Sequence, residues 1–209
     1  MLVGLTTDAQ QLLLEGFGAW NRTNYSLPEF SAPTSFISYG GRLGIGADRL
    51  QLGAEYRSNL TNAEFNENAK STSFEETFYG GFVRTKISRY PAMRFGLVLR
   101  AGAGVHQTKA IFESGALEVS EKYDPILGFN GGVGFSIPTF SNTMLEIGYT
   151  YNYLSRPALK SDGVTLISKH DGSYHMISLG LSLNFVFGET AKRYEHAREN
   201  RRFQNGWRG

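Results

Sequence analysis

The stretch Ser173-Tyr174-His175-Met176-Ile177-Ser178-Leu179-Gly180-Leu181-Ser182-Leu183-Asn184-Phe185-Val186-Phe187 decides the fold. Ile177, Leu179, Leu181, Leu183, Phe185 and Phe187 fall on one side of an extended chain. Ser178, Gly180, Ser182 and Asn184 fall on the other. Successive side chains of a strand point to opposite faces, so alternation of this length reads as a β-strand with one apolar and one small, polar face.

Working outward, the same period recurs. Leu145, Ile147, Tyr149, Tyr151 and Tyr153 oppose Glu146, Gly148, Thr150 and Asn152. Leu127, Phe129, Val133 and Phe135 oppose Gly128, Asn130, Gly132, Gly134 and Ser136. Phe95, Leu97, Leu99, Ala101, Ala103 and Val105 oppose Gly96, Arg100, Gly102 and Gly104. Four noisier segments precede these. Tyr79, Val83 and Ile87 share a face opposite Arg84 and Lys86. Leu50, Leu52, Ala54 and Tyr56 oppose Gln51, Gly53, Glu55 and Arg57. Ile37, Tyr39, Leu43 and Ile45 oppose Ser38, Gly40, Arg42 and Gly44. In the first segment Leu12, Leu14 and Trp20 oppose Glu15. Eight segments of about ten residues suit strands tilted across a bilayer. Short connections around Asp48, Tyr90-Pro91 and Pro138-Thr139 alternate with long ones near 24–35, 58–74, 107–122 and 155–173, the pattern of tight turns at one end of a barrel and loops at the other.

The chain of 209 residues suits one domain. It has no cysteine, which excludes disulfides and thiolate metal sites. A formal charge of +2 is too small for a nucleic-acid binder with a basic face. No apolar run approaches the roughly 18 residues of a transmembrane helix. A closed barrel is then the one way for this chain to span a bilayer, because it satisfies every backbone group between strands.

Period two does not say which face is outside. A soluble lipocalin-type barrel would carry Lys and Glu on its wet exterior. Here the polar faces are mainly Gly, Ser, Asn and Thr, which suit a cramped eight-stranded interior. Aromatics also gather at strand ends. Trp20, Tyr39, Tyr56, Tyr79 and Tyr151 fall near the loop end, and Phe135, Phe185 and Phe187 near the turn end, as two interfacial belts require. The expected fold class is all-β: an eight-stranded antiparallel up-and-down transmembrane β-barrel with short periplasmic turns, long external loops and a C-terminal tail.

Over about residues 10–187 the chain resembles the OmpA/OmpX-type family of small, porin-like outer-membrane barrels. The resemblance is carried by strand number, loop alternation and Ile177–Phe187, which looks like the family's assembly signal ending on an aromatic. It implies insertion by the barrel-assembly machinery and contact with outer-membrane lipids. The family often ends at that aromatic, whereas this chain continues for about 22 residues beyond it.

The polar face carries Glu15, Arg42, Glu55, Arg57, Arg84, Lys86, Arg100 and Glu146, all expected to point into the lumen. Charges there must pair or meet water. Two readings follow: a salt-bridged plug, or a narrow, basic-biased pore for small anions. The width of eight strands favours the plug. If the turn at Asp48-Arg49 has two residues, Arg42 lies opposite Glu55 inside, and Gly41 opposite Tyr56 outside, where the ring can cover the glycine.

Lipid A deacylases on this fold use a His-x-Ser pair on an outward strand. His106, His170, His175 and His196 are followed by Gln107-Thr108, Asp171-Gly172, Met176-Ile177 and Ala197-Arg198, so none fits. The histidines read as polar residues of a wet rim. His170, Asp171 and His175 lack a specific metal-ligand spacing, and the Gly-rich runs lie in strands, not before helices. No catalytic residue, cofactor or metal is expected.

Residues 1–9 read as the end of a signal peptide with cleavage after Ala9, against a disordered terminus. Residues 188–209 form a basic tail in which Lys192, Arg193, Arg198, Arg201 and Arg202 could dock a periplasmic or outer-membrane protein complex. The plainer reading of the tail is disorder. With an even strand number both termini are expected in the periplasm. The functional expectation is a structural or interaction barrel, with a narrow porin as the alternative and a lipid-modifying enzyme behind both.

Overall fold

Each alternating segment exposes a row of backbone donors and acceptors along both edges, and the strands use both edges. The computed structural model describes residues 10–25, 35–47, 49–61, 63–67, 70–87, 96–114, 117–122, 125–139, 142–156, 159–161, 164–167 and 170–187. Within them lie β1 (Gln10–Tyr25), β2 (Ser35–Gly46), β3 (Leu50–Asn59), β4 (Ala63–Glu67), β5 (Lys70–Ile87), β6 (Gly96–Ser114), β7 (Leu117–Lys122), β8 (Ile126–Pro138), β9 (Thr143–Arg156), β10 (Leu159–Ser161), β11 (Val164–Ile167) and β12 (His170–Phe187). Eight of these, β1, β2, β3, β5, β6, β8, β9 and β12, pair antiparallel in that order, and β12 returns to β1. The barrel is closed and runs up and down. β4 lies against β5, β7 against β6, and β10 against β11.

The barrel strands depart from the expected length of about ten residues. β6 has 19 residues and β5 and β12 have 18. β5 and β6 pair without a break from Ser71–Glu113 to Ile87–Leu97, so parts of 58–74 and 107–122 are strand, not loop. The physical reason is that a hairpin rising past the apolar band has water and not lipid beside its outer face, where Glu75 and Gln107 are exposed, while Glu76 and Thr108 inside stay buried. Its pairing persists while its alternation fades. Asp48, Tyr90-Pro91 and Phe95 lie outside the described residues.

The β2–β3 hairpin pairs Arg42 with Glu55 and Gly41 with Tyr56. Ala47 N–H donates to Leu50 O at 2.9 Å next to the turn. Tyr56 does not cover Gly41. Its ring centroid lies 5.3 Å from that of Tyr79, its direct partner on β5. A Cβ built on Gly41 would find only Glu15 O within 4 Å. An aromatic pair brings more contact than a ring over a glycine, and Tyr79 stands where Tyr56 can reach it.

The ladder fixes the tilt. One row runs from Arg22 through His175, Tyr151, Gly131, Ala101, Val83, Leu52 and Ile45 to Leu12. It therefore returns to β1 about ten residues below its start, and over eight strands that stagger tilts each strand by roughly 40°. A residue then climbs about 2.5 Å along the barrel axis, and a step from strand to strand falls about 3 Å. On this scale Trp20, Tyr39, Tyr56, Tyr79 and Tyr151 lie within about 4 Å of one level near the loop end. All five point outward and are exposed.

Below that girdle the outward face is apolar, with Leu14, Leu43, Ile45, Leu52, Val83, Leu99, Val133, Ile147, Leu179 and Leu181 all exposed. Phe185 lies about 22 Å under the girdle, close to the roughly 25 Å apolar band of outer-membrane barrels. Phe187 lies lower still. Phe135 lies about 9 Å above Phe185, so the three phenylalanines do not share a level.

Candidate functional site

The inward face is where the unusual chemistry collects. Parity along each strand sends Glu15 of β1, Arg42 of β2, Glu55 and Arg57 of β3, Arg84 and Lys86 of β5, Arg100 of β6 and Glu146 of β9 into the lumen, and all eight are buried. Six of them, all but Arg57 and Lys86, fall within a layer about 8 Å deep, near the middle of the outward apolar band.

They form two linked halves. Arg42 Nη1 donates to Glu15 Oε1 at 2.6 Å, and Arg42 Nε to Glu55 Oε2 at 2.7 Å. The Arg42 guanidinium carbon also lies 3.9 Å from the centroid of the Phe17 ring. Arg57 Nη1 lies 3.5 Å from Glu55 Oε1, which gives Coulomb attraction without a hydrogen bond. On the other side Arg84 Nη2 donates to Glu146 Oε2 at 2.9 Å, and Arg84 Nη1 to Gln51 Oε1 at 2.8 Å. Arg100 Nη2 donates to Glu146 Oε1 and lies 3.6 Å from Glu15 Oε2, joining the halves. Each carboxylate therefore faces at least two cations, the arrangement that lets buried charge survive in a narrow interior.

Layers above and below complete the lumen. Towards the loops, Phe36, Phe78, His106 and Tyr174 cluster, with Phe78–His106 centroids 4.7 Å apart and Phe36–Tyr174 5.9 Å. Arg57 sits beneath them, 4.7 Å from the Phe78 centroid, and donates to Asn152 Oδ1 at 3.1 Å. Towards the turns, Leu13, Val98 and Met144 are buried inside. The inward glycines make room for these rings. A Cβ on Gly40 would meet the Phe17 ring, and one on Gly128 would meet His106.

His106 corrects the expectation of a wet rim. It is 1% exposed and its Nδ1 lies 2.9 Å from Glu76 Oε1. β6 runs eight residues past His106, so what reads as a strand end is strand interior. His175 does point outward, half-buried beside Tyr149, whose Oη lies 2.6 Å from His175 Nδ1. Glu76 and the aromatic roof went unnamed in the sequence. The signal was parity, since Phe78 must point inward if Tyr79 points out, and Tyr174 if Ile177 does. The basic tail residues Lys192, Arg193, Arg198, Arg201 and Arg202 lie outside the described residues, as do residues 1–9.

Removing Arg42 alone takes the hydrogen-bonded cation from two buried carboxylates and leaves Glu15 only Arg100 at 3.6 Å and Glu55 only Arg57 at 3.5 Å. Arg42→Met is expected to cost about 3–5 kcal/mol of folding free energy. Adding Glu15→Gln to it, which restores the charge balance and leaves Glu55 with Arg57 and Arg100 with Glu146, should recover part of that loss. Urea unfolding of the refolded protein in lipid vesicles measures both, and a double variant no more stable than Arg42→Met would contradict the pairing.

No protein-family model and no curated protein matches the sequence. Solved structures do match. Neisserial surface protein A is 18% identical over 83% of this chain and 97% of its own, with a TM-score of 0.57. Ail, the attachment invasion locus protein of Yersinia pestis, is 15% identical over 85% of this chain and 99% of its own, with a TM-score of 0.51. Nearly the whole of each is spanned, so the likeness covers a complete barrel and not one sheet. The architecture of this chain is that of the small eight-stranded outer-membrane β-barrels.

Proposed function

We propose that the protein resides in the bacterial outer membrane as a structural and interaction barrel whose lumen is closed to solutes. Its apolar outward band would meet outer-membrane lipids. Its four long connections would be presented outside the cell, and both termini would lie in the periplasm. The basic tail around Lys192, Arg193, Arg198, Arg201 and Arg202 is then free to dock a periplasmic or outer-membrane protein complex. Delivery of the chain through the barrel-assembly machinery is part of the same reading.

The observation that carries the closed lumen is the stack of three layers: an aromatic roof, a mid-depth cluster of charges and a floor of Leu13, Val98 and Met144 among Lys86, Ser136 and Ser182, with members almost wholly buried. A solute would have to part ion pairs at 2.6–2.9 Å in a setting where water cannot replace them cheaply. The lumen's surplus of Arg and Lys over Glu favours one second reading, a narrow pathway for small anions. No catalytic role is proposed, since His106 is engaged by Glu76 and His175 by Tyr149.

Planar-bilayer recording separates the two readings. The closed barrel is expected to show no stable unitary steps in molar potassium chloride. Sustained, anion-selective openings would replace it with the pore. The topology has its own check: protease added to intact cells should spare the tail, whereas protease added after outer-membrane permeabilisation should remove it. Tail cleavage in intact cells would invert the assignment of ends.

A further inference from the structure

We propose that the mid-depth cluster holds one small monovalent anion, of the chloride class, against the guanidinium groups of Arg84 and Arg100. The two arginines are direct cross-strand partners on β5 and β6, and both point inward. Like charges set directly opposite each other repel. Here both bond Glu146, and Arg100 also lies 3.6 Å from Glu15 Oε2.

Charge in the cluster does not balance. The six charges at one level balance, three Arg against three Glu, but Arg57, joined to them through Glu55, adds one positive charge. Among the described residues the other buried charges are Lys86, two residues from Arg84 on β5, and Glu76. Glu76 sits beside His106 near the loop end, roughly 17 Å along the axis from this level, so it does not neutralise the cluster directly.

Hydrogen bonding points to the same place. Arg84 spends Nη1 on Gln51 and Nη2 on Glu146, and Arg100 spends Nη2 on Glu146. The Nε–H of each is buried with no acceptor. A buried donor without an acceptor and a buried charge without a partner are both costly. Water bound at Nε would satisfy the donors and leave the charge. One anion satisfies both. The two carboxylate oxygens that lack hydrogen bonds, Glu15 Oε2 and Glu55 Oε1, each already face a cation, at 3.6 and 3.5 Å. The positive surplus sets the sign of the ligand's charge. A lumen just wide enough for side chains admits only a small ion.

The inference rests on the closed lumen, and its test is independent of conductance. Crystals of the wild-type barrel soaked in bromide should show an anomalous peak in contact with Nε of Arg84 or Arg100. Ordered water at both Nε atoms without bromide signal would overturn the anion site, and would leave the closed lumen standing if the barrel does not conduct. A conducting barrel that still binds bromide would overturn only the closed lumen. In detergent, replacing chloride by gluconate at equal ionic strength should lower the midpoint of heat-induced unfolding. Arg84→Gln, which removes the surplus, should abolish that difference. A difference that persists in Arg84→Gln would also count against the site, and if that variant does not fold the bromide result decides.

Discussion

A backbone that crosses hydrocarbon must hand each N–H and C=O to another strand, and the pairing of β1 with β12 is where this chain meets that demand. The two strands run together from Gln10–Phe187 to Tyr25–Gly172 without a register shift. Closure at that register sets the stagger, the stagger sets the tilt, and eight tilted strands set a lumen just wide enough for side chains. The inward residues must therefore fill the space and satisfy one another. The glycines at positions 40, 80, 104 and 128 yield their volume to Phe17, Phe78 and His106 for the same reason.

Charged groups in such an interior are tolerated only as an interlocked set. Glu15 and Glu146 both reach Arg100, so neither half of the cluster is complete without the other. This ties β1, β2 and β3 to β5, β6 and β9 across the lumen, in addition to the ladder around its wall. Phe17 beneath Arg42 and the rings over Arg57 add cation–π contact to buried guanidinium groups. The cluster lies at the depth where the outward face is most apolar. The polar interior and the lipid-like exterior are two sides of the same strands.

Much of this was legible in the sequence because period two survives wherever one face is buried in protein and the other in lipid. Leu179 and Ser178, or Arg42 and Leu43, declare their faces by chemistry alone. The Arg42–Glu55 pairing followed from a two-residue turn and simple register. Legibility failed where that contrast failed. Beyond the girdle, β5 and β6 carry polar residues on both faces, and their continuation as strand was hidden. His106 was hidden too, since a histidine near the apparent end of a pattern reads as rim when the strand actually runs on. The roof residues Phe36, Phe78 and Tyr174 were masked by composition: an aromatic in a barrel strand is expected outside, and only parity sends these inward. Tyr56 was misjudged for another reason. Register names a residue's two neighbours but does not say towards which of them a ring leans.

The central claim is that residues of one parity face lipid and those of the other face a dry, filled lumen. Because the chain has no cysteine, single cysteines placed in turn at positions 177 to 183 and spin-labelled in vesicles report this directly. Collision with oxygen, which concentrates in hydrocarbon, should be high at 177, 179, 181 and 183 and low at 178, 180 and 182, with a water-soluble nickel reagent reaching none of the even positions. High nickel access at the even positions would mean a wet, open lumen. Oxygen access that peaks at the even positions, or that shows no period of two, would contradict the account.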